Sequence, residues 1–114
     1  MGEEQRRFPR AQASIEAQCR PLGGFSELWR TVRTLDLSAT GMRVCSEEPF
    51  EFWTTLTIRL QVPGSREPLE FRGRVARSTA LPSGETETGV EFVDLNPEQQ
   101  MQLDKLVRFL TPRV

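Results

Sequence analysis

The chain has 114 residues, with 15 Lys or Arg against 16 Asp or Glu, so its formal net charge is −1. A chain of this length forms one domain with a single hydrophobic core, and no segment reads as a signal peptide or a membrane span. We therefore expect a cytoplasmic protein. Histidine and tyrosine are absent, which excludes Ser-His-Asp triads, Cys-His pairs and imidazole-ligated metal sites. Cys19 and Cys45 form no CxxC pair, and the composition predicts no zinc site, no cofactor and no enzyme.

Residues 1–12 show no apolar periodicity, and we interpret them as a flexible polar arm that leads into the domain. Beyond the arm, short segments alternate between apolar and polar residues, which is the pattern of strands with one buried face. Turns that contain Pro and Gly separate these segments at hairpin spacing. The predicted strands cover residues 13–20, 28–35, 42–45, 55–62, 69–77 and 89–93. Such strands predict a mainly β fold, a six-stranded antiparallel barrel over 13–94.

The last segment changes from strand spacing to helical spacing. Asn96 is a favourable N-cap, Pro97 suits the first helical position, and Gln99 can complete a capping box. We predict a helix within 96–111 that packs on the barrel, because apolar residues recur there at intervals of three and four. The predicted buried stripe consists of Leu103, Leu106, Val107 and Leu110.

Three arginines, Arg6, Arg7 and Arg10, lie on the arm just before the first predicted strand. A guanidinium group carries five N–H donors in a planar fork and stays charged at physiological pH. On a non-helical segment, Arg6 and Arg10 can hold two phosphates, stack on a base or bind the O6 and N7 edge of guanine. The alternative is that these side chains are solvated terminal charges without a ligand.

A second cluster consists of Asp36, Ser38 and Gly41, in a segment that reads as a tight polar turn. A carboxylate can accept hydrogen bonds from the N1 and N2 hydrogens of guanine, and a hydroxyl can bond a base or a phosphate. A glycine in the turn permits a close approach of the backbone to a ligand. The alternative is a plain turn, because Asp, Ser and Gly are favoured in turns for local reasons.

An RxxxR arm followed by DxSxxG after the second strand resembles the PilZ domain family. The resemblance extends over nearly the whole chain, from the arm through the barrel to the closing helix. It implies binding of cyclic di-GMP, a bacterial second messenger made of two guanosines joined through two phosphates. Arg6 and Arg10 match the motif arginines, which in the family contact phosphates and guanine. Asp36, Ser38 and Gly41 match the second motif, which in the family holds a guanine.

The resemblance also bears on positions beside these motifs. Arg7 occupies a variable position that is often basic, which makes it a secondary candidate for ligand binding. Gln5 stands where members that bind an intercalated ligand dimer often carry arginine. This departure counts against two bound ligands and leaves a single bound cyclic di-GMP as the alternative. Some members use a residue of the strand segment 73–77, where Arg74 or Arg77 can serve.

The leading functional hypothesis is a receptor that orders its arm on binding cyclic di-GMP and signals to an unknown partner protein. The family's typical outputs are the control of motility, biofilm formation and polysaccharide production. We expect neither binding to a nucleic-acid polymer nor membrane insertion. The alternative within the fold is a ligand-independent protein-interaction module, as in the family branch that serves type IV pili. That branch typically lacks both motifs, which are intact here.

Two hypotheses come from other functional classes. A small barrel can bind single-stranded nucleic acid through stacked aromatic rings and a basic groove. Phe8, Trp29 and Trp53 could supply rings, but aromatic residues of small barrels lie mostly in the core, and the net charge of −1 counts against this function. An enzyme is disfavoured because Asp36 and Ser38 have no histidine partner.

Overall fold

A computed structural model describes residues 11–23, 28–62 and 64–111, and it describes residues 11–14 by their backbone alone. The part of the chain so described forms six strands followed by one helix. In chain order these elements are β1 (Ala11–Pro21), β2 (Arg30–Leu37), β3 (Gly41–Ser46), β4 (Thr55–Leu60), β5 (Leu69–Ala80), β6 (Thr86–Val93) and α1 (Pro97–Leu110).

The strands pair antiparallel in the order β1-β2-β3-β6-β5-β4, and β4 pairs back with β1 to close a barrel. The predicted fold class is thus confirmed. Several strands extend beyond their predicted limits: β1 begins at Ala11, β2 reaches Leu37, β5 reaches Ala80 and β6 begins at Thr86. The last residues of β5 pair with β6 although they are all exposed, so hydrophobic periodicity does not detect this end of the strand.

Alternate residues of the strands fill the interior of the barrel. The predicted inward residues Leu56, Ile58 and Phe71 are each at most 2% exposed. The rings of Phe71 and Phe92 meet edge to face with their centroids 4.8 Å apart, an arrangement that aromatic pairs prefer. Burial of these side chains supplies the main favourable free energy of the fold.

Helix α1 begins as its sequence predicts. The side chain of Asn96 accepts a hydrogen bond from the Gln99 backbone N–H at 2.7 Å, and the Gln99 side chain accepts one from the Asn96 N–H at 2.9 Å. Leu103, Leu106 and Val107 are buried against the barrel, and Leu110 is partly buried. No helix within the described ranges is long and apolar enough to cross a membrane.

The two tryptophans do not lie in the core, and the expectation that they do is wrong. Trp53 and its neighbour Phe52 are each 57% exposed in the connection between β3 and β4. Trp29 is half-buried outside the barrel, where the guanidinium groups of Arg20 and Arg59 pack over its ring. Aliphatic residues and Phe71 fill the interior instead.

Cys19 and Cys45 are buried free thiols, and no group of three potential metal-ligating side chains occurs among the residues described. Burial raises the pKa of the Cys19 thiol to about 12, with a smaller opposing effect of Arg30. Burial also raises the pKa of the Cys45 thiol, and the Glu85 carboxylate adds to the increase. The thiolate is the reactive form, so the raised pKa values and the burial of both side chains should slow the reaction of either thiol in the native state.

We therefore expect neither thiol to react within minutes with Ellman's reagent at about pH 8, whereas both react after denaturation. Rapid labelling of the folded protein would contradict the burial of the two thiols.

The raised pKa of Cys19 also has a consequence for stability. The unfolded thiol loses its proton near its ordinary pKa of 9.0, but the folded one keeps it up to about 12. The free energy of unfolding therefore falls as pH rises through this window.

Candidate functional site

The hairpin between β2 and β3 is a two-residue turn, Ala39 and Thr40, which Ser38 and Gly41 close. The Ser38 N–H donates to the Gly41 carbonyl at 2.9 Å, and the Ser38 hydroxyl donates to the same carbonyl at 3.2 Å. The hydroxyl also accepts from the N–H groups of Thr40 and Gly41 at 3.3 and 3.2 Å. Ser38 is 2% exposed, so its hydroxyl shapes the turn from within.

Gly41 allows this turn to pack directly on β6. A Cβ atom on Gly41 would lie 2.5 Å from the carbonyl oxygen of Val90, closer than two such atoms can approach. The Phe92 N–H donates to the Thr40 carbonyl at 2.9 Å on the same side. The glycine is therefore required for a close backbone contact, and its φ is not positive.

Asp36 lies on β2, not in the turn where the sequence places it. Its carboxylate is only 1% exposed and accepts a hydrogen bond from Arg43 Nε at 2.5 Å. Arg43 also donates from a terminal nitrogen to Glu87 Oε1 at 3.2 Å. The two carboxylates hold the guanidinium of Arg43, which is 36% exposed, in one orientation at the barrel surface.

These residues belong to a row that crosses neighbouring strands. Gln12 on β1 pairs with Asp36, Asp36 with Arg43, Arg43 with Gly89 on β6, and Gly89 with Arg77 on β5. Gly89 has no side chain, so a depression of about 200 Å³ opens between the two arginines. Its lining consists of Thr40, Gly41, Met42, Arg43, Ala76, Arg77, Gly89, Val90 and Glu91.

The structure brings the second motif into one place but does not expose all of it. Asp36 and Ser38 are buried, while Gly41 lines the depression. Of the two candidate arginines on β5, Arg77 lines the depression, whereas Arg74 lies over the ring of Trp53. The predicted residues Arg6, Arg7 and Arg10 lie outside the described residues.

Sequence reasoning did not single out Arg43. The signal was present, because Arg43 follows Gly41 by two positions and two-residue periodicity puts both on one face of a strand. What the periodicity could not supply was the pairing of β3 with β6, which gives Arg43 its position next to Gly89.

The interaction of Arg43 with buried Asp36 should stabilise the fold measurably. We expect Arg43→Ala to lower the free energy of unfolding by about 1–2 kcal/mol, because the carboxylate loses a charged hydrogen bond. The control is Arg108→Ala, which removes an exposed pair with Asp104 on α1 and should cost about 0.5 kcal/mol or less. Urea denaturation measures both changes. Equal decreases in the free energy of unfolding would show that the Asp36–Arg43 interaction contributes no more than an exposed ion pair.

A model of the PilZ domain family matches residues 4–109 of the chain, which is nearly its full length. The chain belongs to the PilZ domain family. The match covers residues 4–12 of the arm, all six strands and most of α1. The resemblance to the PilZ domain family that the motifs suggest is thus confirmed.

Solved structures of PilZ proteins show the same fold. The inhibitor of motility MotI/DgrA of Bacillus subtilis superimposes with a TM-score of 0.75 at 19% identity, over 92% of this chain and 50% of that one. The PilZ domain of YcgR from Escherichia coli, solved with c-di-GMP, gives 0.70 at 18% identity, over 93% and 91%. The PilZ domain of CeSA from a cellulose-synthesizing bacterium gives 0.65 at 26% identity, over 89% and 96%.

The chain therefore spans about half the length of MotI and nearly all of the isolated PilZ domains of YcgR and CeSA. Among curated proteins, no relative matches the sequence.

Proposed function

We propose that this PilZ domain is a receptor for cyclic di-GMP that passes the signal to a partner protein. The observation that carries the proposal is the register at the start of β1, where Ala11 pairs with Leu37 and Gln12 with Asp36. Arg10 is bonded to Ala11, so the arginine motif directly precedes the point where the chain meets the second motif. Residues far apart in sequence are thereby available to one ligand.

The chemistry of the depression suits an anionic nucleotide. Cyclic di-GMP carries two phosphates, and the rim of the depression presents the guanidinium groups of Arg43 and Arg77 on either side of Gly89. Each charged hydrogen bond can contribute roughly 1.5–3 kcal/mol. We assign Arg43 and Arg77 to the phosphates or to the acceptor edge of guanine, both of which arginine binds with a bidentate fork.

The motif residues then have different roles. Asp36 holds Arg43 in place, because it is buried and already accepts from that side chain. Ser38 and Gly41 set the shape of the turn and its contact with β6, and Gly41 also lines the depression. Arg6, Arg10 and, secondarily, Arg7 supply the remaining cations from the arm.

Signal transfer follows from the cost of ordering the arm. Fixing a backbone residue costs roughly 1–2 kcal/mol, so the arm binds stably over the depression only when ligand contacts offset that cost. The surface that a partner meets therefore differs between the free and bound states. MotI is an inhibitor of motility and CeSA comes from a cellulose-synthesizing bacterium, which is consistent with outputs in motility or polysaccharide control.

Thermal unfolding tests this function. A ligand at 100 times its Kd adds about 2.7 kcal/mol to stability, which should raise the Tm by roughly 10 °C. GMP at the same concentration serves as the comparison and should produce a much smaller shift. Arg77→Ala should weaken cyclic di-GMP binding about tenfold, whereas Arg108→Ala on α1 should not change it.

A folded protein whose Tm does not respond to cyclic di-GMP would favour the ligand-independent interaction module. If Arg77→Ala and Arg108→Ala bind cyclic di-GMP with equal affinity, the protein is still a receptor, but the depression is not part of its binding site.

A further inference from the structure

A second surface combines arginines with exposed aromatic rings on the outer side of β1, β4 and β5. We call it the basic aromatic face and define it as Arg20, Trp29, Phe52, Trp53, Arg59 and Arg74. Its strands are neighbours in the closed barrel, with Arg20 paired to Thr57 and Thr55 paired to Arg74. The face adjoins the depression on β5, where Arg74 pairs with Glu91 of β6, but it shares no residue with it.

Trp29 holds two guanidinium groups of this face in fixed positions. Arg20 Cζ lies 4.7 Å and Arg59 Cζ 4.0 Å from the centroid of the indole ring, within the range of cation–π attraction. Arg59 also donates to Glu70 Oε2 at 3.0 Å. Arginine forks held in this way lose less side-chain freedom when they bind a carboxylate, because part of that freedom is already lost.

Phe52 and Trp53 present apolar surface beside the third arginine of the face, Arg74. Their rings meet edge to face with centroids 4.8 Å apart, and each side chain is 57% exposed. Trp53 has a φ of 66°, a left-handed conformation that a tryptophan rarely adopts, and its N–H donates to the Val75 carbonyl at 2.9 Å. The backbone thus fixes an aromatic pair outside the core, with Arg74 Cζ 5.5 Å from the Trp53 ring.

We propose that the basic aromatic face docks an acidic segment of a partner protein, one that also carries an apolar side chain. Charge complementarity selects the acidic partner. Of the three arginines, only Arg59 forms an ion pair, with Glu70, whereas Arg20 and Arg74 form none with any residue that the structure describes. Exposed Trp and Phe flanked by Arg are the residues enriched at the centres of protein interfaces.

Single-stranded nucleic acid fits the same face less well. Binding of that kind uses open aromatic faces on which bases stack, together with a generally positive groove. The ring of Trp29 is instead covered by two guanidinium groups, and the chain carries a net charge of −1. The rigid arginines and the exposed apolar pair match a peptide with carboxylates and one or two large apolar side chains.

The two tryptophans are the only ones in the chain, so their indole N–H signals report directly on this face. The probe is a synthetic peptide in which Glu alternates with Leu, added to ¹⁵N-labelled protein with and without cyclic di-GMP. We expect both indole signals to shift saturably, and no comparable shift with the peptide that has Lys for each Glu. Because docking is measured in both states, its failure is distinguishable from a failure of nucleotide binding.

Two variants identify the face. Arg20→Glu reverses one charge, and Trp53→Gly removes a ring at a position where glycine adopts the required φ without strain. Each should weaken peptide binding by at least about tenfold. The matched control is Phe109→Ala, which removes a ring that is 73% exposed on α1 and should leave the peptide affinity unchanged.

Three outcomes would overturn the proposal. Indole signals that stay unshifted at millimolar acidic peptide would exclude docking on this face. Larger shifts with oligo-dT than with the acidic peptide would assign the face to nucleic acid. Equal losses of affinity in Phe109→Ala and Trp53→Gly would show that the peptide binds exposed rings without regard to position.

Discussion

Gly41→Ala should lower the free energy of unfolding by about 2–3 kcal/mol and abolish the binding of cyclic di-GMP. The added Cβ would lie 2.5 Å from the Val90 carbonyl oxygen. Neither atom can move aside easily, because β3 and β6 are paired through their backbones at this point. The clash is relieved only when β3 moves away from β6. That movement opens the depression, because Arg43 on β3 and Gly89 on β6 pair beside it.

Urea denaturation measures the effect of this substitution on stability. Gly84→Ala is the matched control, since Gly84 has no neighbouring atom within 4 Å but has a φ of 93°. It should cost about 1 kcal/mol from backbone strain alone and leave ligand binding intact. A Gly41→Ala protein as stable as Gly84→Ala, with normal affinity, would show that the β3–β6 contact does not shape the site.

Arg10→Ala should reduce the affinity for cyclic di-GMP at least tenfold. The loss of one charged hydrogen bond accounts for roughly 1.5–3 kcal/mol, which corresponds to about one or two powers of ten. In the proposed function the remaining contacts of the arm must also offset its ordering cost, so the loss of one arginine should weaken the contribution of the others. The double variant Arg6→Ala and Arg10→Ala should bind more weakly still.

Arg108→Ala again serves as the control, because it removes a guanidinium that lies outside the depression. Each variant is first shown to be folded by its unfolding transition. Titration of Arg10→Ala with undiminished affinity would refute the assignment of the arm to the ligand.

The alternating strands and the capped helix were predictable because their signals are local. Leu56, Ile58 and Phe71 alternate with polar residues and are buried, and Asn96 with Gln99 forms the predicted capping box. The strand ends were not predictable in the same way. Pairing of the exposed end of β5 with β6 depends on backbone groups, which carry no sequence pattern.

The site was predictable in its motif residues but not in its geometry. Asp36 reads as a turn residue because aspartate is common in turns, yet it pairs with Arg43 inside the β2–β3 ladder. The depression depends on β6 lying between β3 and β5, an order that differs from the order along the chain. Exposure of Trp53 depends on a left-handed backbone that composition does not reveal.

Isothermal titration of the folded chain with cyclic di-GMP, alongside cyclic di-AMP, tests the central claim most directly. The two ligands share their phosphates and differ in the base, so the comparison separates charge attraction from recognition of guanine. We predict saturable binding of cyclic di-GMP at micromolar or lower concentration and much weaker binding of cyclic di-AMP. The stoichiometry distinguishes one bound ligand from the intercalated dimer, for which Gln5 lacks the usual arginine. A flat titration, or equal binding of the two ligands, would contradict a guanine-specific receptor.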